Sequence, residues 1–270
     1  MRFLTGCLIG ALALVAPSAW GAGEFSLEGL SPEQSGLTIF QEVDRRASGY
    51  QDLTVDLQMT LRNSRGRESQ RSLKIRQLEV PDDGDKLLVI FDTPKTIRGT
   101  ALLSHSHKFL PDDQWLYLPA VKRVKKITSR NRSGPFLSSE FAYEDLALQE
   151  VEKYRYRLIE TVQIDNQAYF IVERSPVDEY SGYLRQVVKL DVAELRIHQI
   201  VYYDRRDNLL KTLEVNGHHK HLGRFWKAEH MYMTNHQTGK STELRWQNYA
   251  FATGLDDDRD FSTNALRRAR

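Results

Sequence analysis

The chain has 270 residues, 40% of them hydrophobic and 27% charged, with a mean hydropathy of −0.52, an ordinary balance for a water-soluble globular protein. A formal net charge of +2 gives no global field toward nucleic acid or an anionic membrane, so any basic site must be a local patch. The single cysteine, Cys7, falls in the leader described next, which removes disulfides, thiolate metal sites and cysteine nucleophiles from the rest of the chain.

The first residues read as a signal peptide. Arg2 supplies a positive start, Leu8 to Val15 form an apolar run too short to span a bilayer, and Pro17 and Ser18 break it before Ala19-Trp20-Gly21. Cleavage is expected after Gly21, with Ala22 the alternative, leaving residues 22–270 as one domain. Leu4-Thr5-Gly6-Cys7 matches a lipobox only by coincidence, because it precedes the apolar core that a lipobox must follow.

Ser31-Pro32-Glu33-Gln34 combines an N-cap serine, proline at the first helical position and a capping-box glutamine. Leu37, Phe40, Val43 and Ala47 then recur at helical spacing, and Ser48-Gly49 ends the helix. From Asp52 the period becomes two. Leu53, Val55, Leu57, Met59 and Leu61 face one way and polar residues the other, the pattern of a half-buried antiparallel strand. Asn63 to Gly66 turns the chain into a strand carrying Leu73 and Ile75, and Pro81 to Gly84 turns it into the dense strand Leu87 to Phe91. Val121 to Glu150 is basic, then rich in Gly and Ser, then acidic, and reads as a long loop with a short helix, kept partly apolar by Phe136, Phe141, Tyr143 and Leu146. Beyond it, alternation resumes around Tyr154 to Leu158, Tyr169 to Val172, Val187 to Val192, Ile197 to Tyr203, Leu209 to Val215, Phe225 to Thr234 and Thr242 to Trp246. About ten or eleven strands with few helices predict a mainly β fold built on one meandering antiparallel sheet.

Catalytic motifs do not emerge. There is no G-x-S-x-G elbow, H-E-x-x-H, P-loop or G-x-G-x-x-G. His105-Ser106-His107 and His218-His219-Lys220-His221 lack evident further ligands, and Asp256 to Asp260 lacks the glycine and distal glutamate of a calcium loop, so no metal or cofactor is expected. A histidine-metal hydrolase stands as the remaining enzymatic reading. Asp260 is expected to cap a last helix beginning near Phe261. Lys122, Arg123, Lys125 and Lys126, followed by Arg130 and Arg132, form the strongest basic run. They suit lipid phosphates or an acidic partner, and equally a strand edge protected against aggregation.

Three segments in order carry a resemblance: Phe91-Asp92-Thr93-Pro94 with Arg98 to Leu103; Asp113-Gln114-Trp115-Leu116-Tyr117-Leu118-Pro119-Ala120 with Arg123 and Val124; and Ser138-Ser139-Glu140-Phe141-Ala142-Tyr143-Glu144-Asp145-Leu146. Together they resemble the LolA-like outer-membrane lipoprotein-sorting protein family, members of which often accompany RND/MMPL-type exporters. The third segment departs from the family's more usual Gly-Ser-Asp-Phe, and the chain is longer than the standard LolA carrier. The resemblance implies a strongly curved antiparallel sheet, an incomplete barrel with a helical lid. It further implies a periplasmic, non-catalytic carrier of lipid or lipoprotein acyl chains between the inner and outer membranes. The alternative is an accessory docking subunit of an RND/MMPL-type transporter. Expected partners are acyl chains, an inner-membrane transporter and an outer-membrane acceptor, with no nucleic acid, and the chain acting as a monomer. On this reading Leu53, Val55, Leu57, Met59, Trp115, Tyr117, Met231 and Met233 are candidate cavity walls, although the same alternation equally predicts plain core. Lys122, Arg123, Lys125 and Lys126 are candidate contacts for a partner or headgroup.

Overall fold

A computed structural model describes residues 25–146 and 150–268; the expected leader and its cleavage point lie outside the described residues. The helix α1 (Pro32–Ala47) forms with its capping box complete: the Gln34 N–H donates to Ser31 Oγ at 3.2 Å and the Ser31 N–H to Gln34 Oε1 at 3.0 Å. Six strands follow: β1 (Asp52–Arg62), β2 (Glu68–Leu78), β3 (Lys86–Thr93), β4 (Ala101–His105), β5 (Asp113–Leu118) and β6 (Arg123–Ile127). After a long connection come β7 (Tyr154–Ile164), β8 (Gln167–Pro176), β9 (Tyr183–Asp191), β10 (Ile197–Asp204), β11 (Leu209–His221), β12 (Phe225–Asn235) and β13 (Ser241–Phe251), then the short helices α2 (Asp257–Asp260) and α3 (Thr263–Arg268).

Among the described residues the strands form one thirteen-stranded antiparallel sheet in the order β6-β5-β4-β3-β2-β1-β13-β12-β11-β10-β9-β8-β7. The chain meanders outward from β1 to the edge at β6, crosses to the far edge at β7, and meanders back until β13 pairs with β1. The two edges do not pair with each other, so the sheet is not closed into a barrel.

Two strands exceed the sequence expectation. β4 is only five residues long, and β6 lies inside the stretch expected to be loop. Its sequence, Arg-Val-Lys-Lys-Ile, sets one buried apolar residue, Ile127, against exposed cations, which weakens the alternation but suits an edge. The helix also differs in phase. Its buried residues are Ser35, Gly36, Ile39 and Phe40, whereas Leu37 and Ala47 are exposed. A Cβ on Gly36 would lie 2.7 Å from the Arg157 backbone nitrogen. The helix therefore rests directly on the β7 main chain, and small residues, rather than the bulkiest stripe, must face it. At the C-terminus the cap is Asp256, which accepts from the Arg259 N–H, and Ser262 Oγ accepts from the Ala265 N–H. Asp260 ends α2 instead of starting the next helix.

Each face of the sheet has its own core. On the inner face, Leu53, Val55, Leu57 and Met59 of β1 join Leu73, Ile75, Val89 and Phe91, together with Ile39 and Phe40 from α1. On the outer face, Leu88, Ile90, Ala101 and Leu103 pack beneath Phe261 and Leu266 of the C-terminal segment. Leu87 to Phe91 is an unbroken apolar run because β3 is covered on both sides.

Candidate functional site

The inner face does not fill completely. A cavity of about 750 Å³ lies between the curved sheet, α1 and the crossing segment. Its walls are inward residues of seven strands, among them Leu53, Val55, Leu57 and Met59 of β1, Ile200 and Tyr202 of β10, Leu213 and Val215 of β11, and Leu244 and Trp246 of β13. Strand parity builds this wall: residues two apart share a face, so one apolar register places a whole row inside. The Trp246 indole N–H is buried without a hydrogen-bond partner in this wall. It is a donor that an occupant's ester or carbonyl oxygen would satisfy.

The crossing segment contributes further walls to this cavity. Pro135 and Ala142 bridge, the Phe136 N–H donates to the Phe141 carbonyl at 2.7 Å, and the fully buried Phe136 packs on Phe91 with ring centroids 5.6 Å apart. Phe136, Phe141 and Leu146 face the cavity. Polar contacts hold this plug in place. Lys211 Nζ, on β11, donates to Asp145 Oδ2 at 2.6 Å and to the Glu140 carbonyl at 2.9 Å, and the Tyr183 hydroxyl donates to Asp145 Oδ1 at 2.8 Å. Glu144 accepts from the Ser181 hydroxyl and the Gly182 N–H, and burial raises its pKa to about 7. The third family-like segment is thus the cavity's plug.

Other elements frame the mouth. Arg46 at the end of α1 donates to the Ala193 carbonyl at 3.2 Å, and Arg224 donates to the Ser48 carbonyl at 2.8 Å. The helix terminus is thereby tied to the β9–β10 and β11–β12 turns. Trp226 lies between two cations, with Arg196 at 4.6 Å and Lys220 at 5.2 Å from its ring, and its indole N–H donates to Glu194.

The residues singled out from sequence divide by face. Leu53, Val55, Leu57, Met59 and Met231 line the cavity, and Met233 is fully buried in the same inner core. Trp115 and Tyr117 do not join them. On β5 it is Gln114 and Leu116 that point inward, so Trp115 and Tyr117 pack on the outer core with Leu103 and Val124, a correction of one residue in parity. Lys122, Arg123, Lys125 and Lys126 are exposed at the β6 edge and are not among the cavity walls, with Lys126 held by Asp113 at 2.6 Å and over the Trp115 ring. Arg132, grouped with them in sequence, is buried and bridges Asp112 and Asp178 at 3.2 and 2.6 Å. Histidines of the two clusters make local contacts: His105 to the Phe261 carbonyl, His107 to Asp83 and His218 to the Ile197 carbonyl. Among the described residues no group of three His, Cys, Asp or Glu is placed to hold a metal ion.

Sequence reasoning passed over the charged and polar residues of the inner face. Lys211 shares its parity with Leu213 and Val215, Arg174 with Phe170 and Val172, and Gln186 with Val188 and Leu190. A polar residue in an inward register is the signal that finds them. The cations at the mouth carry no such signal, because two separate turns with their flanking strands and a helix end bring them together.

Comparison with known proteins places this geometry in a family. A family model described as "-like: Uncharacterized protein" matches residues 83–268. No curated protein matches the chain. Among solved structures, a domain from Vibrio parahaemolyticus named for outer membrane lipoprotein sorting is 48% identical, with a TM-score of 0.85 over 87% of this chain and 100% of its own. A DUF1329 family protein from Desulfovibrio piger is 28% identical, with a TM-score of 0.82 over 87% and 99%. A LolA superfamily protein from Nitrosomonas europaea, 17% identical, shares the fold with a TM-score of 0.69 over 85% and 98%. The chain belongs to the LolA-like outer-membrane lipoprotein-sorting protein family.

Proposed function

We propose that this protein is a non-catalytic carrier in the cell envelope that shelters lipid or lipoprotein acyl chains in its inner cavity, in the periplasm between the two membranes. The observation that supports it is the apolar cavity of about 750 Å³, within the roughly 300–1,000 Å³ of sites that bury most of a ligand. Each methylene moved from water into such a cavity contributes roughly 0.8 kcal/mol. About twelve buried methylenes thus supply on the order of 10 kcal/mol, enough to offset much of the freedom lost on association. The open sheet suits such a carrier, since α1 and the plug cover the inner face without a covalent closure.

Lipids extracted from protein purified out of its native compartment, identified by mass spectrometry, test the reading. Acyl lipid in stoichiometric amount is expected, together with uptake of a neutral fluorescent naphthylamine probe that the lipid displaces. Neither lipid nor probe uptake in repeated preparations would sink it.

A second reading, docking to an RND/MMPL-type transporter, draws on the exposed cations of the unpaired β6 edge. Replacing Lys122, Arg123, Lys125 and Lys126 by Ala should then abolish capture of the transporter while sparing probe uptake. Undiminished capture would count against it.

A further inference from the structure

Six cations border the cavity: Arg45 and Arg46 at the end of α1, Arg196 before β10, Lys220 near the end of β11, Arg224 in the following turn, and Lys227 in β12. Among the described residues Glu194 and Asp145 are the carboxylates of the lining, Asp145 being engaged by Lys211, and Glu79 accepts from the Gly49 and Gln51 N–H groups beside Ser48, whose carbonyl Arg224 contacts. Four of the six cations are already paired. Glu42 holds Arg45 and Arg46 at 2.6 and 2.7 Å, Asp191 holds Arg196 at 2.8 Å, and Glu194 lies 3.5 Å from Lys220.

Arg224 and Lys227 differ. Among the described residues neither has an ion pair: Arg224 donates to the Ser48 carbonyl, and Lys227 Nζ lies 4.5 Å from the centroid of the Tyr50 ring. Burial lowers the Lys227 pKa to about 8 against the opposing pull of the Glu79 and Asp85 carboxylates, and a further anion in contact would stabilise its charged form. Apolar wall begins directly beside them, since Ala228 and Leu53 line the same cavity. One opening therefore presents two cations that, among the described residues, have no ion-pair partner, above an apolar interior, the complement of an amphiphile with an anionic head.

We propose that the mouth binds the phosphate of a phospholipid headgroup through Arg224 and Lys227 while its acyl chains occupy the cavity. This rests on the carrier reading and narrows its cargo. A guanidinium and an ammonium facing one phosphate form charge-assisted hydrogen bonds that a neutral glyceride cannot offer. The headgroup then fixes the orientation of the cargo, and the chains supply the bulk of the affinity.

Competition against the bound naphthylamine probe tests the proposal with the purified protein and water-dispersed dioctanoyl phosphatidylglycerol, dioctanoylglycerol and glycerol phosphate. Phosphatidylglycerol is expected to compete at least about tenfold better than dioctanoylglycerol, the ratio expected from hydrogen bonds to charged groups of roughly 1.5–3 kcal/mol. Glycerol phosphate is expected not to compete. The double variant Arg224→Gln/Lys227→Met should remove the preference, read as the ratio of competition by the two lipids, whereas Arg224→Lys/Lys227→Arg should keep most of it, which separates charge from folding. Equal competition by phosphatidylglycerol and dioctanoylglycerol, or a preference that survives the neutral variant, overturns the headgroup assignment and leaves the carrier reading standing. Competition by glycerol phosphate at lipid-like concentrations overturns it in favour of a free phosphate site. Failure of every dioctanoyl compound to displace the probe overturns both.

Discussion

Replacing Lys211 by Met isolates the plug's main anchor. Lys211 and Asp145 are each 4% exposed and 2.6 Å apart, and the ammonium also donates to the Glu140 carbonyl and lies 5.1 Å from the Tyr183 and Tyr202 ring centroids. Taking both charges out of water costs several kcal/mol per ion, so the intact pair adds little net stability, but removing one partner strands the other. The stranded Asp145 would keep only its bonds from the Ala142 N–H and the Tyr183 hydroxyl. The expected loss is about 3–5 kcal/mol, a large share of the roughly 5–15 kcal/mol available to a domain. Urea unfolding followed by intrinsic fluorescence measures it. The double variant Lys211→Met/Asp145→Asn, which leaves no unpaired charge, should recover most of the loss, giving a coupling energy above about 1 kcal/mol. A loss below about 1 kcal/mol for Lys211→Met, or a double variant no more stable than the single, would refute this account of the plug.

Three further expectations rest on separate features. Gly36→Ala gains about 1 kcal/mol of helix propensity, yet its new Cβ would meet backbone atoms of Arg157 and Leu158 at 2.7–3.0 Å; the clash should win, with a net loss of roughly 1–3 kcal/mol in a thermal melt. Burial raises Glu144 and Glu150 from 4.5 to about 7 in the fold, so the folded state holds the protons more tightly. Their contribution is full below about pH 4.5 and fades as the pH rises through about 7. Glu144→Gln should therefore flatten the decline in stability between pH 5 and 7.5, and an unchanged slope would contradict the assignment. Met231→Trp adds bulk to a half-buried wall position and should shift probe preference toward shorter acyl chains, as read by competition across a chain-length series.

The sheet was legible because a half-buried strand must alternate: Leu53 to Met59 declared both their strand and the face they share. The helix start was legible because Ser31 and Gln34 carry the capping chemistry in four residues. Trp115 and Tyr117 were assigned to the wrong face because the sheet has cores on both sides, and alternation reveals that two faces differ without saying which is inside. β6 was hidden because an edge strand needs to bury only one row. The cavity's polar features were least legible. Lys211 meets Asp145 across 66 residues of sequence, and Arg46 meets Ala193 across 147, separations at which local patterning is silent.

The pairing of β1 with β13 has a consequence for how the molecule comes into being. Leu53 lies opposite Phe251, so the strand at the centre of the finished sheet waits for nearly the whole chain before its second neighbour exists. The hairpins from β1 to β6 form from local contacts, but loop closure across the seam comes last and slowly. At roughly 5–20 residues per second of synthesis, β1 presents a bare hydrogen-bonding edge beside an uncovered apolar face for on the order of ten seconds or more. During that interval the amino-terminal half is a template for strand addition by any extended chain nearby. The amino-terminal half thus keeps one strand edge unsatisfied until the carboxy-terminal strand arrives to cover it.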